Sequence, residues 1–120
     1  MTDRPQVVLR YRDGSTKRAT LVQTDTQREI FEIDENGAAT EVPFQNLKAV
    51  FFPQSQPEKQ PEPAEGSQLA VEFVDGEVIR GVAQYNPERN GFFLFPLDRS
   101  KNDRIFVVNS AISSIEVEKL

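Results

Sequence analysis

The stretch from Pro53 to Ser67, PQSQPEKQPEPAEGS, divides the chain, because it holds four of the eight prolines and, proline aside, a single apolar side chain, Ala64. Nothing in it can join a core, so it reads as a linker. Proline biases such a segment toward extended polyproline II, about 3.1 Å per residue and on the order of 45 Å at full stretch. Pro57 and Pro61 bracket acidic and amide residues without a basic anchor, which weighs against a ligand for a proline-binding module. The division that follows is 1–52, 53–67 and 68–120.

The flanking segments repeat one order of parts. VVLRYRDGSTKRATL leads through REIFEID to EVPFQNLKAVFF, and LAVEFVDGEVIRGVA leads through GFFLFPL to RIFVVNSAISSIEV. Asp13-Gly14 matches Asp75-Gly76, Arg18 matches Arg80, Phe31 and Ile33 match Phe93 and Phe95, and Leu47, Val50 and Phe52 match Ile112, Ile115 and Val117. The offset grows from 62 to 65 because the second copy has the longer loop Asp98 to Arg104. A linker falling between the copies is where a duplication boundary belongs.

Each copy reads as a β meander. Val7, Leu9 and Tyr11 alternate with polar residues, as do Leu69, Val71 and Phe73, which is the period of a half-buried strand. Asp-Gly then supplies a tight turn, since glycine takes positive φ without a Cβ clash. A third strand follows at Glu29 to Ile33 and at Phe92 to Phe95. The fourth and fifth strands flank a 3₁₀-like kink at Gln45-Asn46-Leu47 and at Ser110-Ala111-Ile112. No window carries a helical apolar stripe.

With no cysteine and no histidine, disulfides, thiolate metal sites, the commonest general base and the commonest transition-metal ligand are all missing. The amino terminus MTDRPQVVLRY has no apolar run long enough for a signal peptide or a membrane span, so a cytoplasmic location is expected. The net charge of −5 is spread over all three segments, and none offers the basic field that nucleic acid or anionic lipid requires. Asp13, Asp34, Glu35, Asp75, Asp98 and Asp103 fall at expected turns, where short acidic side chains have a structural use. No catalytic residue, metal site or cofactor is therefore assigned, and the chain is expected not to be an enzyme.

Five short strands with a tight first hairpin and a 3₁₀-like turn before the last strand resemble the SH3-like and Sm-like small barrels, giving an all-β expectation of two tandem five-stranded barrels. DGxxxxG (Asp75, Gly76 and Gly81), YNPERNGFFLFP, RIFVV and, in the first copy, LKAVFF resemble a bacterial family of unknown function. Members of that family stand alone or are attached to signalling proteins. The first copy departs from the pattern, with Ala19 in place of Gly81 and QTDTQRE in place of the YNPERNG loop.

Apolar residues that do not fit one buried face are the candidate interaction sites. If Phe93 and Phe95 face the core with Phe31 and Ile33, then Phe92 and Leu94 point outward, as Ile30 does in the first copy. Phe51 points away from Val50 and Phe52, where the second copy carries Glu116. The pattern points to a protein-interaction module, binding a protein partner or a second copy through Phe51, Phe92, Leu94, Ile30 and Tyr85 with its loop. Packing of copy on copy is the first use expected of such a face, since each unit alone has little core. The alternative is a nucleic-acid or cyclic-dinucleotide binder of Sm-like or PilZ-like type using Arg10, Arg12, Lys17 and Arg18. The paired-arginine segment and D-x-S-x-x-G strand of PilZ-type receptors are missing from the sequence.

Overall fold

The computed structural model describes residues 5–53, 66–85, 88–97 and 102–118. The first half forms β1 (Gln6–Tyr11), β2 (Thr16–Asp25), β3 (Ile30–Glu35), β4 (Ala38–Pro43) and β5 (Leu47–Pro53). The second forms β6 (Ser67–Phe73), β7 (Val78–Ala83), β8 (Gly91–Pro96), β9 (Asn102–Val108) and β10 (Ile112–Val117). A single 3₁₀ turn precedes the last strand of each half, Phe44–Asn46 and Asn109–Ala111, and there is no α-helix among the described residues. Pro53 ends β5 and Ser67 begins β6, so the linker shortens at both ends; Pro57, Pro61 and Ala64 lie outside the described residues.

The Asp-Gly turns form for the reason the sequence supplies. Gly14 and Gly76 sit at φ 93° and 92°, open to glycine and strained for other residues. Asp13 and Asp75 accept the N–H of the residue two on, Ser15 at 2.8 Å and Glu77 at 3.0 Å. Asp25 accepts the Gln27 N–H in the same way, and Asp34 accepts the N–H of Gly37, three residues on. Asp98 lies outside the described residues, and residue 103 falls within β9 rather than in a turn.

Where two separate barrels were expected, the hydrogen bonds run on from one half into the other. All ten strands form one antiparallel sheet in the order β10-β6-β7-β8-β9-β5-β1-β2-β3-β4, open at β10 and β4 among the described residues. Within that order each half has the same internal arrangement, its last strand beside its first and its fourth at the far end. The seam between them is β5 against β9, and one core cluster includes buried residues from both halves, among them Leu9, Phe31, Val50, Val71, Leu94 and Phe106.

The third strand of the second half has the opposite phase from the one expected. Phe92 and Leu94 are buried, Leu94 completely, whereas Phe93 is 38% exposed and Phe95 half-buried. Ladder register gives the cause. Leu21 pairs with Ile33 and Ala83 with Leu94, so Ile33 corresponds to Leu94 and Phe31 to Phe92. The connection from the second to the third strand is thus one residue shorter in the second half, and a slip of one residue exchanges the two faces of a strand.

Candidate interaction surface

The seam strands are apolar on both sides because each faces two interiors. Ala49 pairs with Val107, Val50 with Phe106, Phe51 with Ile105 and Phe52 with Arg104. Alternation sends successive side chains to opposite faces. Phe106 therefore enters the first half, edge-on to Phe31 at 5.2 Å and 5.5 Å from Phe44. Arg104 stacks its guanidinium on Phe52 at 4.5 Å and on Phe93 at 5.1 Å. On the other face Ala49 and Phe51 stand beside Val107 and Ile105, which pair with Phe92 and Leu94 of the second half.

A charged cluster closes one side of the seam. Lys48 is the one buried charged residue among those described, 6% exposed. Its Nζ donates to Asp75 Oδ2 at 2.8 Å and to the Glu77 carboxylate, and lies 4.8 Å from the centre of the Phe73 ring. Arg10 reaches the same Glu77 at 3.0 Å while its guanidinium covers the Phe51 ring at 4.6 Å. The hydrogen bond from Lys48, joined by that from the Glu77 N–H, holds Asp75 below its ordinary value. Burial pushes the Glu77 carboxyl up, but Lys48 and Arg10 together outweigh it and leave the group lowered. Both acids come from the second Asp-Gly turn and both cations from the first half.

Polar ties continue on the same joint. Arg12 donates to the Leu47 carbonyl at 3.0 Å and to the Ser110 hydroxyl of the second half. Asn90 donates back across to the Thr26 carbonyl at 2.8 Å. A cavity of about 340 Å³ lies between the two 3₁₀ turns, bounded by Phe44, Gln45, Arg89, Asn90 and Asn109. Asn109 spends its amide on the Arg89 carbonyl at 2.5 Å. No group of three or more metal-ligating side chains occurs among the described residues, and no helix among them is long and apolar enough to cross a membrane.

The basic residues read from the sequence are not brought together as a patch. Arg10 and Arg12 both turn toward the second half. Lys17 pairs with Glu35 at 2.7 Å, and that hydrogen bond raises its pKa. Arg18 stays exposed on β2.

Of the apolar candidates, Phe92, Leu94 and Ile30 are buried and offer no outward surface. Phe51 is half-buried on the seam. Tyr85 remains 41% exposed, its ring edge-to-face with Phe92 at 5.4 Å. The other exposed large apolar side chains among the described residues are Val74, Val78, Phe93, Leu97 and Val117, so all of them lie in the second half. Sequence reading missed these five, and missed Lys48 and Glu77 of the charged cluster. Lys48 did leave a trace, as the one charge inside the apolar run LKAVFF.

A family model covers this whole arrangement, matching residues 3–119 to a family of unknown function, DUF6982. The chain belongs to that family. Both halves and the seam fall inside the matched span, so the family's unit is the double meander rather than one half. No curated protein and no solved structure matches the chain.

Proposed function

We propose that this chain is a non-enzymatic protein-interaction module serving bacterial signalling proteins. In this reading it is two fused SH3-like or Sm-like units, the second of which receives the partner. The observation that supports it most is the uneven surface: every exposed large apolar side chain among the described residues belongs to the second half. Exposed apolar groups gathered in one half of a molecule mark that half as the one with surface to offer a partner. The first half spends its own on the core and the seam, and acts as the rigid support. Engagement of Arg10, Arg12 and Lys17 within the chain weighs against nucleic acid or a cyclic dinucleotide as the ligand.

A photo-crosslinking residue placed at Leu97 in the organism that encodes the chain tests this, with the same residue at Ala39 as control. A discrete adduct with one protein is expected from position 97 and not from 39, and Val78→Asp should abolish it without unfolding the chain. Equal labelling from both positions, or no adduct from 97, would remove the reading.

A further inference from the structure

We propose that β10 is a docking edge for an extended segment of a partner protein in which apolar and basic residues alternate. The proposal rests on the binding-module reading and names the partner's chemistry. It starts from a strand addition already present in the molecule. β5, the last strand of the first half, takes up β9 along its outer edge. β10 holds the same position in the second half, paired to β6 as β5 is to β1, and ends the sheet among the described residues.

Ladder positions relate the two edges residue by residue. Val50 becomes Ile115, Phe52 becomes Val117, Ala49 becomes Ser114, Phe51 becomes Glu116 and Lys48 becomes Ser113; on the adjoining strand Arg10 becomes Glu72. One face thus keeps its apolar character without the cover. Phe52 is 5% exposed beneath Arg104 and Phe93, whereas Val117 is 63% exposed. The opposite face reverses its charge. In place of the Arg10 guanidinium over Phe51, Glu72 and Glu116 stand as diagonal neighbours with no ion pair to any described residue. Like charges so placed on a sheet repel, and a cation brought between them relieves both.

An added strand is therefore asked for two things at once: apolar side chains against Ile115 and Val117, and a basic one against Glu116 and Glu72. Main-chain hydrogen bonds supply affinity and the alternate side chains supply selection, as in other strand additions. The far edge of the same chain, β4, fits poorly as occupant. In the register of the seam, Glu41 would take the place of Phe106 and lie against Ile115, while Thr40 would face Glu116. A second copy thus brings a carboxylate to the apolar face and no cation to the acidic one.

The test uses the full chain and two synthetic probes, acetyl-Lys-Val-Lys-Ile-Lys-Val-Lys-amide and its glutamate counterpart, followed by backbone amide NMR. The lysine peptide should shift the amides of 112–117, leave 38–43 in place, and bind more weakly as salt is raised. Glu116→Lys should weaken it about fivefold and favour the glutamate peptide instead. Equal binding of both peptides, shifts centred on β4, or light scattering showing β10 already occupied by a second copy would overturn the proposal. Should the peptides fail while the Leu97 adduct persists, the edge assignment falls and the binding-module reading stands.

Discussion

Strands β5 and β10 occupy one place in their halves, and β9 and β4 occupy another, yet β5 and β9 are bonded to each other while β4 and β10 end the sheet. Backbone geometry does not separate the two cases, because each half has the same strand order. Side chains do. Phe106 fills the first half from the seam, and its equivalent on the free edge is Glu41; Phe51 lies under Arg10, and its equivalent is Glu116. Charges at these positions keep a natural sheet edge from pairing indiscriminately. The difference teaches that a repeated strand edge becomes an internal joint or a terminus according to a handful of residues on it.

The comparison breaks most severely at Phe106. Phe106→Ala removes a ring that touches Phe31, Phe44 and Phe93, and should lower stability by about 3–5 kcal/mol. Urea unfolding followed separately by probes in each half should show one shared transition moving together. Independent transitions would mean that the seam does not couple the halves.

A smaller effect is expected at Gly81, where the halves differ by one methyl group. A Cβ there would run into the Phe95 carbonyl and the Leu94 side chain, while Ala19 at the equivalent position of β2 is accommodated and buried. Gly81→Ala should cost about 1–3 kcal/mol by overpacking, and Ala19→Gly under about 1 kcal/mol. Calorimetric unfolding of the two variants checks the order.

Lys48→Met should cost about 1–2 kcal/mol, because Asp75 and Glu77 are half-exposed and regain water when their partner is lost. Its signature is the pH dependence. Both carboxyls are lowered in the folded chain from ordinary values of 3.8 and 4.5. Their contribution is therefore complete above those values and is lost as pH falls through the lower folded ones. Denaturation midpoints of the native chain should drop below about pH 4, and those of Lys48→Met should drop less steeply.

The smallest expected change in stability belongs to the double variant Glu41→Phe with Glu116→Phe, within about 0.5 kcal/mol since both positions are exposed. Its effect is on assembly. With the seam's aromatic residues restored to both free edges, the chain should associate head to tail, and light scattering should report a rising mass. A chain that stays at its original mass would show that the edge glutamates are not what stops the sheet.

Much of the fold was legible in the residues. Alternation at Val7, Leu9, Leu69 and Val71 marked buried strand faces, both Asp-Gly pairs make the turns expected of them, and each 3₁₀ turn lies within a residue of its expected place. The surface was less legible. Phe92, Phe93, Leu94 and Phe95 form an unbroken apolar run, so nothing in it states which alternate pair is buried. The first half suggests one phase, and a connection shorter by one residue gives the second half the other. The charged cluster was hidden for another reason: Lys48 and Glu77 are far apart in sequence, and only the β5 and β9 pairing brings them together.

The order of residues alone determined what is local here: where strands run, where they turn, and that two like meanders follow one another along the chain. Those features follow from side-chain alternation and backbone preference within a few residues. Only the tertiary structure decided that the meanders share one sheet, which face of β8 is buried, and which edges stay open. These depend on contacts between distant residues, where a shift of one position or the replacement of a phenylalanine by a glutamate changes the partner while leaving the strand a strand.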